Sequence, residues 1–169
     1  EAQGSGECWM VTACMLADYP LDRMRKEIAD KFGETWVYMM NRRKASHTSD
    51  RNKMARFVAY RLGVPAMMSL NWAYGFTIRR GPAPRLRIPH GRGAIMLVKL
   101  VKYRTTNSRT RRRRYVEYVV AHVVAFEDGM IYDPNGARVY DEDGYAGHYH
   151  GWRLEKVVQV RRRSGALTL

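Results

Sequence analysis

The pattern of apolar residues changes near residue 66, and this change constrains the fold more than any other feature of the chain. Before it, apolar residues recur at helical spacing, which predicts helices over 8–18, 21–32 and 50–62. After it, Pro and Gly punctuation gives way to β-branched and aromatic runs. These runs predict strands over 94–103, 115–126, 130–133, 137–140 and 153–162. Helices followed by an antiparallel sheet predict an α+β fold.

The length and composition of the chain suit one globular domain. Its 169 residues support a single core, and no repeat or low-complexity linker divides 1–169. Hydrophobic residues make up 46% and charged residues 27%, which is usual for globular domains. The longest apolar runs, near 93–101 and 119–126, fall far short of the ~18 residues that a membrane-spanning helix needs. We therefore expect a single domain with no membrane span.

The chain is strongly basic. Thirty Lys and Arg against sixteen Asp and Glu give a formal net charge of +14, which favours salt-sensitive attraction to polyanions. Five arginines lie together between two predicted strands, in what we interpret as a hairpin tip: Arg109, Arg111, Arg112, Arg113 and Arg114. A nucleic acid or an acidic protein is a predicted partner of this tip, and a solvated surface without a partner is the alternative.

Two cysteines, Cys8 and Cys14, lie six residues apart in one predicted helix. This spacing places them on opposite faces and beyond disulfide reach. At least one free thiol is therefore expected, which favours a reducing compartment (a host or bacterial cytoplasm, or a virion) or a thiol kept for its chemistry. Cys8 is predicted at the start of the helix, where unpaired N–H groups favour a thiolate, whereas Cys14 is predicted to be a core residue.

A glutamine precedes the first cysteine at short range. Gln3 lies five residues before Cys8, and the segment between them contains two glycines. The chain can fold back there, so that the Gln3 amide points at the oxygen of a group attacked by Cys8, with a helix N–H as second donor. Glu7 adds a negative charge beside the thiol and opposes thiolate formation.

A histidine and an aspartate are predicted to meet across a hairpin. His122 lies in the apolar strand YVVAHVVAF, and a tight turn at 128–129 returns the next strand to Asp133. Asp133 then comes close to the face of His122 and can accept its Nδ1–H bond, which fixes the tautomer and stabilises the imidazolium. Asn135 is the alternative orienting group.

These segments carry a family resemblance. QGSGECW resembles the active-site segment of papain-like cysteine peptidases, whose motif places a Gln shortly before Cys-Trp. AHVVAFEDGMIYDPNG resembles the His…Asp segment of that superfamily, particularly in bacteriocin-processing peptidase domains of ABC exporters and compact phage and bacterial proteins. The resemblance implies a papain-like fold, with N-terminal helices packed on a C-terminal antiparallel sheet. It implies Cys8 as nucleophile, Gln3 in the oxyanion hole, His122 as acid and base, and Asp133 as orienting residue.

The resemblance implies a cofactor-free cysteine peptidase acting on a protein or peptide, as in viral, phage or bacterial processing. Deamidases and deubiquitinase-type hydrolases use the same groups. The alternative from another class is a catalytically silent papain-like scaffold that serves as a basic nucleic-acid-associated or virion structural protein. Because the chain opens at Glu1, release from a precursor by self-cleavage is a further hypothesis. His148 and His150 are interpreted as loop residues and not as metal ligands, since a third spaced ligand is missing.

Overall fold

A computed structural model describes residues 7–36, 48–70, 87–106 and 113–161, with the backbone alone described at 48, 103–106 and 113–119. The helices are α1 (Glu7–Ala17), α2 (Leu21–Phe32), α3 (Thr48–Arg61) and α4 (Glu142–His148), with a 3-10 helix at Pro65–Leu70. The strands are β1 (Arg92–Thr106), β2 (Arg113–Glu127), β3 (Met130–Asp133), β4 (Arg138–Tyr140) and β5 (Arg153–Gln159). The fold is α+β, as predicted. None of the described helices combines the length and apolarity that crossing a membrane requires.

The first helix is buried on all sides. Every residue of α1 after Glu7 is buried, and a helix that is apolar around its whole circumference belongs in the interior. Trp9 donates its indole N–H to the carbonyl of Met67 at 2.9 Å. Thr12 donates its hydroxyl to the carbonyl of Val123 at 3.0 Å. These two hydrogen bonds fix α1 against the 3-10 helix on one side and against β2 on the other.

The second and third helices cover α1 with one face each. α2 buries Met24 and Ile28, four residues apart on the same face. It ends at Gly33, whose φ of 86° suits glycine and whose N–H bonds to the carbonyl of Ala29. α3 presents four buried residues to the same core, which are Met54, Ala55, Val58 and Ala59.

The five strands form one antiparallel sheet in the order β4-β3-β2-β1-β5. β1 and β2 pair along their whole length, from Arg92 opposite Glu127 to Thr106 opposite Arg113. β1 and β2 therefore run further than predicted, and Arg113 and Arg114 belong to β2 and not to a hairpin tip. Arg109, Arg111 and Arg112 lie outside the described residues.

The sheet separates two hydrophobic cores. Ala121, Val123 and Ala125 on β2 pack with the helices α1 to α3. The alternate residues Val124 and Phe126 pack in a second core on the other face, because successive side chains of a strand point to opposite faces. The second core is completed by aromatic side chains of α4 and the segment after it, which are Tyr145, Tyr149 and Trp152.

One prediction for the segment that supplies these aromatic side chains was wrong. His148 and His150 were interpreted as loop residues, but His148 is the last residue of α4 (Glu142–His148), and only His150 lies in the turn after it. Asp141 caps this helix, since its carboxylate accepts the N–H of Gly144 at 2.8 Å. An aspartate cap followed by two acidic residues is favourable at a helix N-terminus and outweighs the low helix propensity of the glycines.

The close pairing of β1 with both neighbours predicts that Gly93 tolerates no side chain. A Cβ at this position would lie 1.9 Å from the carbonyl oxygen of Val158 and 2.9 Å from the ring of Phe126. Gly93→Ala should therefore lower the free energy of unfolding by about 1–3 kcal/mol through overpacking. The measurement is urea denaturation followed by circular dichroism.

Gly147→Ala is the matched control, because a Cβ at Gly147 meets nothing within 4 Å. It should raise the free energy of unfolding by about 0.4–1 kcal/mol, since it restricts the unfolded chain. Equal stability of the Gly93→Ala and wild-type proteins would contradict the described pairing of β1.

Candidate active site

The structure brings together three of the four residues predicted to act in chemistry. Cys8 lies in the first turn of α1, His122 on β2 and Asp133 at the end of β3. His122 Nε2 lies 2.7 Å from Asp133 Oδ1, and the thiol of Cys8 hydrogen-bonds to the same imidazole. Gln3, the predicted oxyanion donor, lies outside the described residues. Three side chains from distant parts of the sequence thus form one hydrogen-bonded chain.

The tight hairpin between β2 and β3 brings Asp133 close to His122. Asp128 and Gly129 have φ values of 50° and 83°, as a two-residue turn with both central residues left-handed requires. The register pairs Ala125 with Tyr132. His122 therefore lies beyond the last described pair of β2 with β3, where the end of β3 leaves the edge of β2 open and Asp133 reaches the imidazole.

The helix that carries Cys8, α1, is held in position by a hydrogen bond to β2. Cys8 and Thr12 are one helical turn apart and share a face of α1. Thr12 bonds to the carbonyl of Val123, and Cys8, in the preceding turn of the helix, hydrogen-bonds to the side chain of the adjacent strand residue, His122. Two contacts thus join α1 to successive residues of β2.

The predicted orientation of the imidazole was wrong. Asp133 was expected to accept a hydrogen bond from Nδ1–H of His122, but Nε2 of His122 faces the carboxylate. Nδ1 is consequently the ring nitrogen that remains for Cys8. Asn135, the alternative orienting residue, contributes its backbone N–H to Asp133 Oδ1 at 2.8 Å.

Electrostatics favour an imidazolium at this position. Burial alone lowers the pKa of His122, but the Asp133 carboxylate and the Cys8 thiol outweigh it and raise the pKa to about 10. Burial likewise raises the pKa of Asp133, yet hydrogen bonds from His122, Tyr149 and Asn135 bring it below its ordinary value. At neutral pH the pair is therefore an imidazolium facing a carboxylate.

The two cysteines have different surroundings. Neither forms a disulfide bond, as their spacing predicted. Burial raises the pKa of Cys14 to about 12, although Arg25 lowers it in part, so Cys14 is protonated at neutral pH. Cys8 is also buried, with 5% of its surface exposed, but it lies against a histidine. Cys14 is thus a core residue and Cys8 a candidate for chemistry.

The acidic residue beside the thiol has a counter-ion. Glu7 was expected to oppose a thiolate at Cys8. Its carboxylate Oε2 lies 3.4 Å from Arg25 Nη2 of α2, and the Glu7 side chain is largely buried. The positive charge of Arg25 therefore offsets the negative charge that the sequence places next to Cys8.

Two aromatic residues at the site were missed from the sequence. Tyr149 donates its hydroxyl to Asp133 Oδ2 at 2.5 Å. The centroid of the Trp152 ring lies 6.4 Å from that of the His122 ring. Together they cover the imidazole, of which 15% is exposed. The capping Asp141 and the spacing of Tyr145, Tyr149 and Trp152 were the signals that this segment packs as a unit.

Other predicted features do not join the site. The ring of His148 stacks on Tyr140 at 4.8 Å between centroids. Within the described ranges, His, Cys, Asp and Glu side chains form no group of three or more arranged to hold a metal ion.

Comparison with protein-family models, curated proteins and solved structures finds no match.

The hydrogen bond between His122 and Asp133 predicts how His122 titrates. In the wild-type protein, His122 should keep its proton until about pH 10. Asp133→Asn should lower this pKa, because burial then opposes the charge with one fewer compensating partner. An NMR titration of the His122 ring measures both values. An ordinary value near 6.5 in the wild-type protein, unchanged by Asp133→Asn, would contradict the described pair.

Proposed function

We propose that the protein is a papain-like cysteine hydrolase that cleaves peptide bonds, with Cys8 as nucleophile. The observation that carries the proposal is the hydrogen-bonded chain from Cys8 through His122 to Asp133. A nucleophile in contact with a base, and the base in contact with an orienting carboxylate, is the arrangement that covalent hydrolysis requires. Both the identity and the chain order of these groups agree with the resemblance of the sequence to papain-like peptidases.

The position of the nucleophile supports the proposal independently. Cys8 lies in the first turn of α1, where backbone N–H groups and the helix dipole favour negative charge. His122 holds a positive charge at neutral pH beside it. Cys14, six residues further along the same buried helix, has neither advantage. The proposed papain-like arrangement is a buried cysteine-bearing helix packed on the sheet that carries the histidine and the aspartate.

The proposed reaction has two half-reactions. The Cys8 sulfur attacks the carbonyl carbon of the substrate, and the C–N bond breaks as His122 gives its Nδ1 proton to the leaving amine. The product is a thioester of Cys8 with the acyl group. His122 then takes a proton from water, the resulting hydroxide attacks the thioester, and the C–S bond breaks to release a carboxylic acid and restore the imidazolium–thiolate pair. Gln3 and a backbone N–H are the proposed oxyanion donors.

Asp133 acts through the histidine. Its carboxylate accepts from Nε2, so that Nδ1 points to the sulfur in both half-reactions. The negative charge of Asp133 also stabilises the imidazolium each time it forms. Peptide-bond hydrolysis in viral, phage or bacterial processing is the leading assignment. Deamidation and isopeptide cleavage use the same three groups and differ in the substrate.

A second candidate function rests on charge and on the shape of one hairpin. The net charge is +14, and β1 and β2 pair for eight residue pairs beyond Val98, where the described pairing of β1 with β5 ends. A basic two-stranded ribbon is an element that contacts nucleic acid. In this alternative the protein is a silent scaffold, and its polyanion binding weakens with salt and survives Cys8→Ala.

The proposal predicts that Cys8 is alkylated rapidly below the pH range in which ordinary thiols react. The rate of iodoacetamide labelling is followed by mass spectrometry from about pH 5 to about pH 9, read separately at each cysteine. His122→Ala should slow the labelling of Cys8 near neutral pH by about 10²-fold, the lower end of the usual contribution of a base.

Cys14→Ala is the matched control for this experiment, because it removes the other thiol from the same helix. The labelling rate of Cys8 should be unchanged in that variant. A Cys8 rate that rises with pH as for a simple thiol and is the same in His122→Ala would exclude the hydrolase and favour the silent scaffold.

A further inference from the structure

The carboxylate that orients His122 is occupied on both of its oxygens. Oδ1 accepts from His122 Nε2 at 2.7 Å and from the N–H of Asn135 at 2.8 Å. Oδ2 accepts the hydroxyl of Tyr149 at 2.5 Å. Asp133 is 1% exposed, so water does not substitute for these donors. A buried carboxylate that meets only donors is held in its ionised form.

The ring of Tyr149 is fixed by the rings around it. Its centroid lies 4.8 Å from that of His148, 5.3 Å from that of Tyr145 and 5.8 Å from that of Trp152. All three contacts are edge-to-face, which is a favourable geometry for aromatic pairs. Tyr149 itself is 3% exposed. The ring therefore delivers its hydroxyl to Asp133 Oδ2 in one orientation.

The hydroxyl of Tyr149 affects both the orientation and the charge of the Asp133 carboxylate. A carboxylate bound only through Oδ1 can turn about its Cβ–Cγ bond, and the lone pair aimed at Nε2 then moves away. The hydroxyl of Tyr149 opposes that rotation by holding Oδ2. Its removal also leaves Oδ2 buried without its donor, which disfavours the ionised form of Asp133.

We propose that Tyr149 is a positioning residue, which keeps Asp133 ionised and in the plane that holds His122. The link from Tyr149 to His122 stands on the contacts alone. Its catalytic consequence rests on the proposed function, because only a hydrolase uses His122 as acid and base. Burial, together with the Asp133 carboxylate, raises the pKa of Tyr149 above its ordinary value, so the phenol remains a donor throughout the pH range in which His122 acts.

Tyr149→Phe tests the proposal, because it removes one oxygen and leaves the ring in its aromatic surroundings. The pKa of His122 should fall by about one pH unit, as the ionised carboxylate loses a donor. Labelling of Cys8 by iodoacetamide near neutral pH should slow by roughly three- to tenfold. The NMR titration of His122 and the labelling rate are measured on the same samples.

Tyr145→Phe is the matched control. Tyr145 lies four residues earlier on α4 and is fully buried, and its hydroxyl has no hydrogen-bond partner among the described residues. The same loss of one oxygen there should change neither the pKa of His122 nor the labelling rate. An equal fall in both Phe variants would mean that packing and not the hydroxyl is responsible, and would overturn the proposal.

The route through Asp133 is tested in the Asp133→Asn background. If Tyr149 acts on His122 only by way of the carboxylate, adding Tyr149→Phe to Asp133→Asn should leave the pKa of His122 where the single variant has it. A further fall of the same size as in the wild-type background would overturn the positioning role.

The two proposals can fail separately. If Tyr149→Phe lowers the pKa of His122 while no variant, including His122→Ala, affects the labelling of Cys8, the positioning role stands and the hydrolase falls. If His122→Ala slows the labelling but Tyr149→Phe changes neither the labelling nor the pKa of His122, the hydrolase stands and the positioning role falls.

Discussion

The packing of the buried helix α1 against β2 is the contact on which the rest of the structure depends. α1 has no solvent-facing side after Glu7, so its environment must be supplied by the sheet, by α2 and α3, and by the 3-10 helix. The hydrogen bond from Thr12 to the carbonyl of Val123 selects one longitudinal position of the helix on the strand. A shift by one helical turn would move Cys8 by about 5.4 Å and separate it from His122.

The second constraint is the cost of placing charges in the interior. His122 and Asp133 are both largely buried, and burial opposes the charged form of each. The pair is stable as ions because hydrogen-bond partners surround both groups. Asn135 and Tyr149 supply those partners to Asp133, and Cys8 supplies one to His122. The site is therefore a buried polar network whose members depend on one another.

Much of the fold follows from local sequence patterns. The 21–32 helix, the long β1–β2 hairpin and the tight turn at 128–129 were predicted from apolar periodicity and turn residues. The turn also fixed the register, so the approach of Asp133 to His122 was predictable from the position of Asp128 and Gly129 in the sequence. Such inferences succeed because a two-residue turn leaves a hairpin no freedom of pairing.

What the sequence did not predict depends on packing between distant segments. The ring nitrogen that faces Asp133 depends on how the ring of His122 is rotated, and strand alternation contains no information about that rotation. α4 was missed because its two glycines mask a helix whose stability comes from the Asp141 cap and from burial of Tyr145. Neither apolar periodicity nor turn residues predicted the contact of Tyr149 with Asp133, because it joins residues 16 apart in the chain across the second core.

The proposed function requires that folding activates Cys8 even though it buries the thiol. The most direct test compares iodoacetamide labelling of Cys8 and Cys14 in the folded protein and in concentrated urea, at the same near-neutral pH. We expect that Cys14 reacts faster after unfolding, whereas Cys8 reacts faster in the folded protein, where His122 and the helix terminus act on it. Faster labelling of both cysteines after unfolding would show that the fold only shields Cys8, and would exclude its activation by His122.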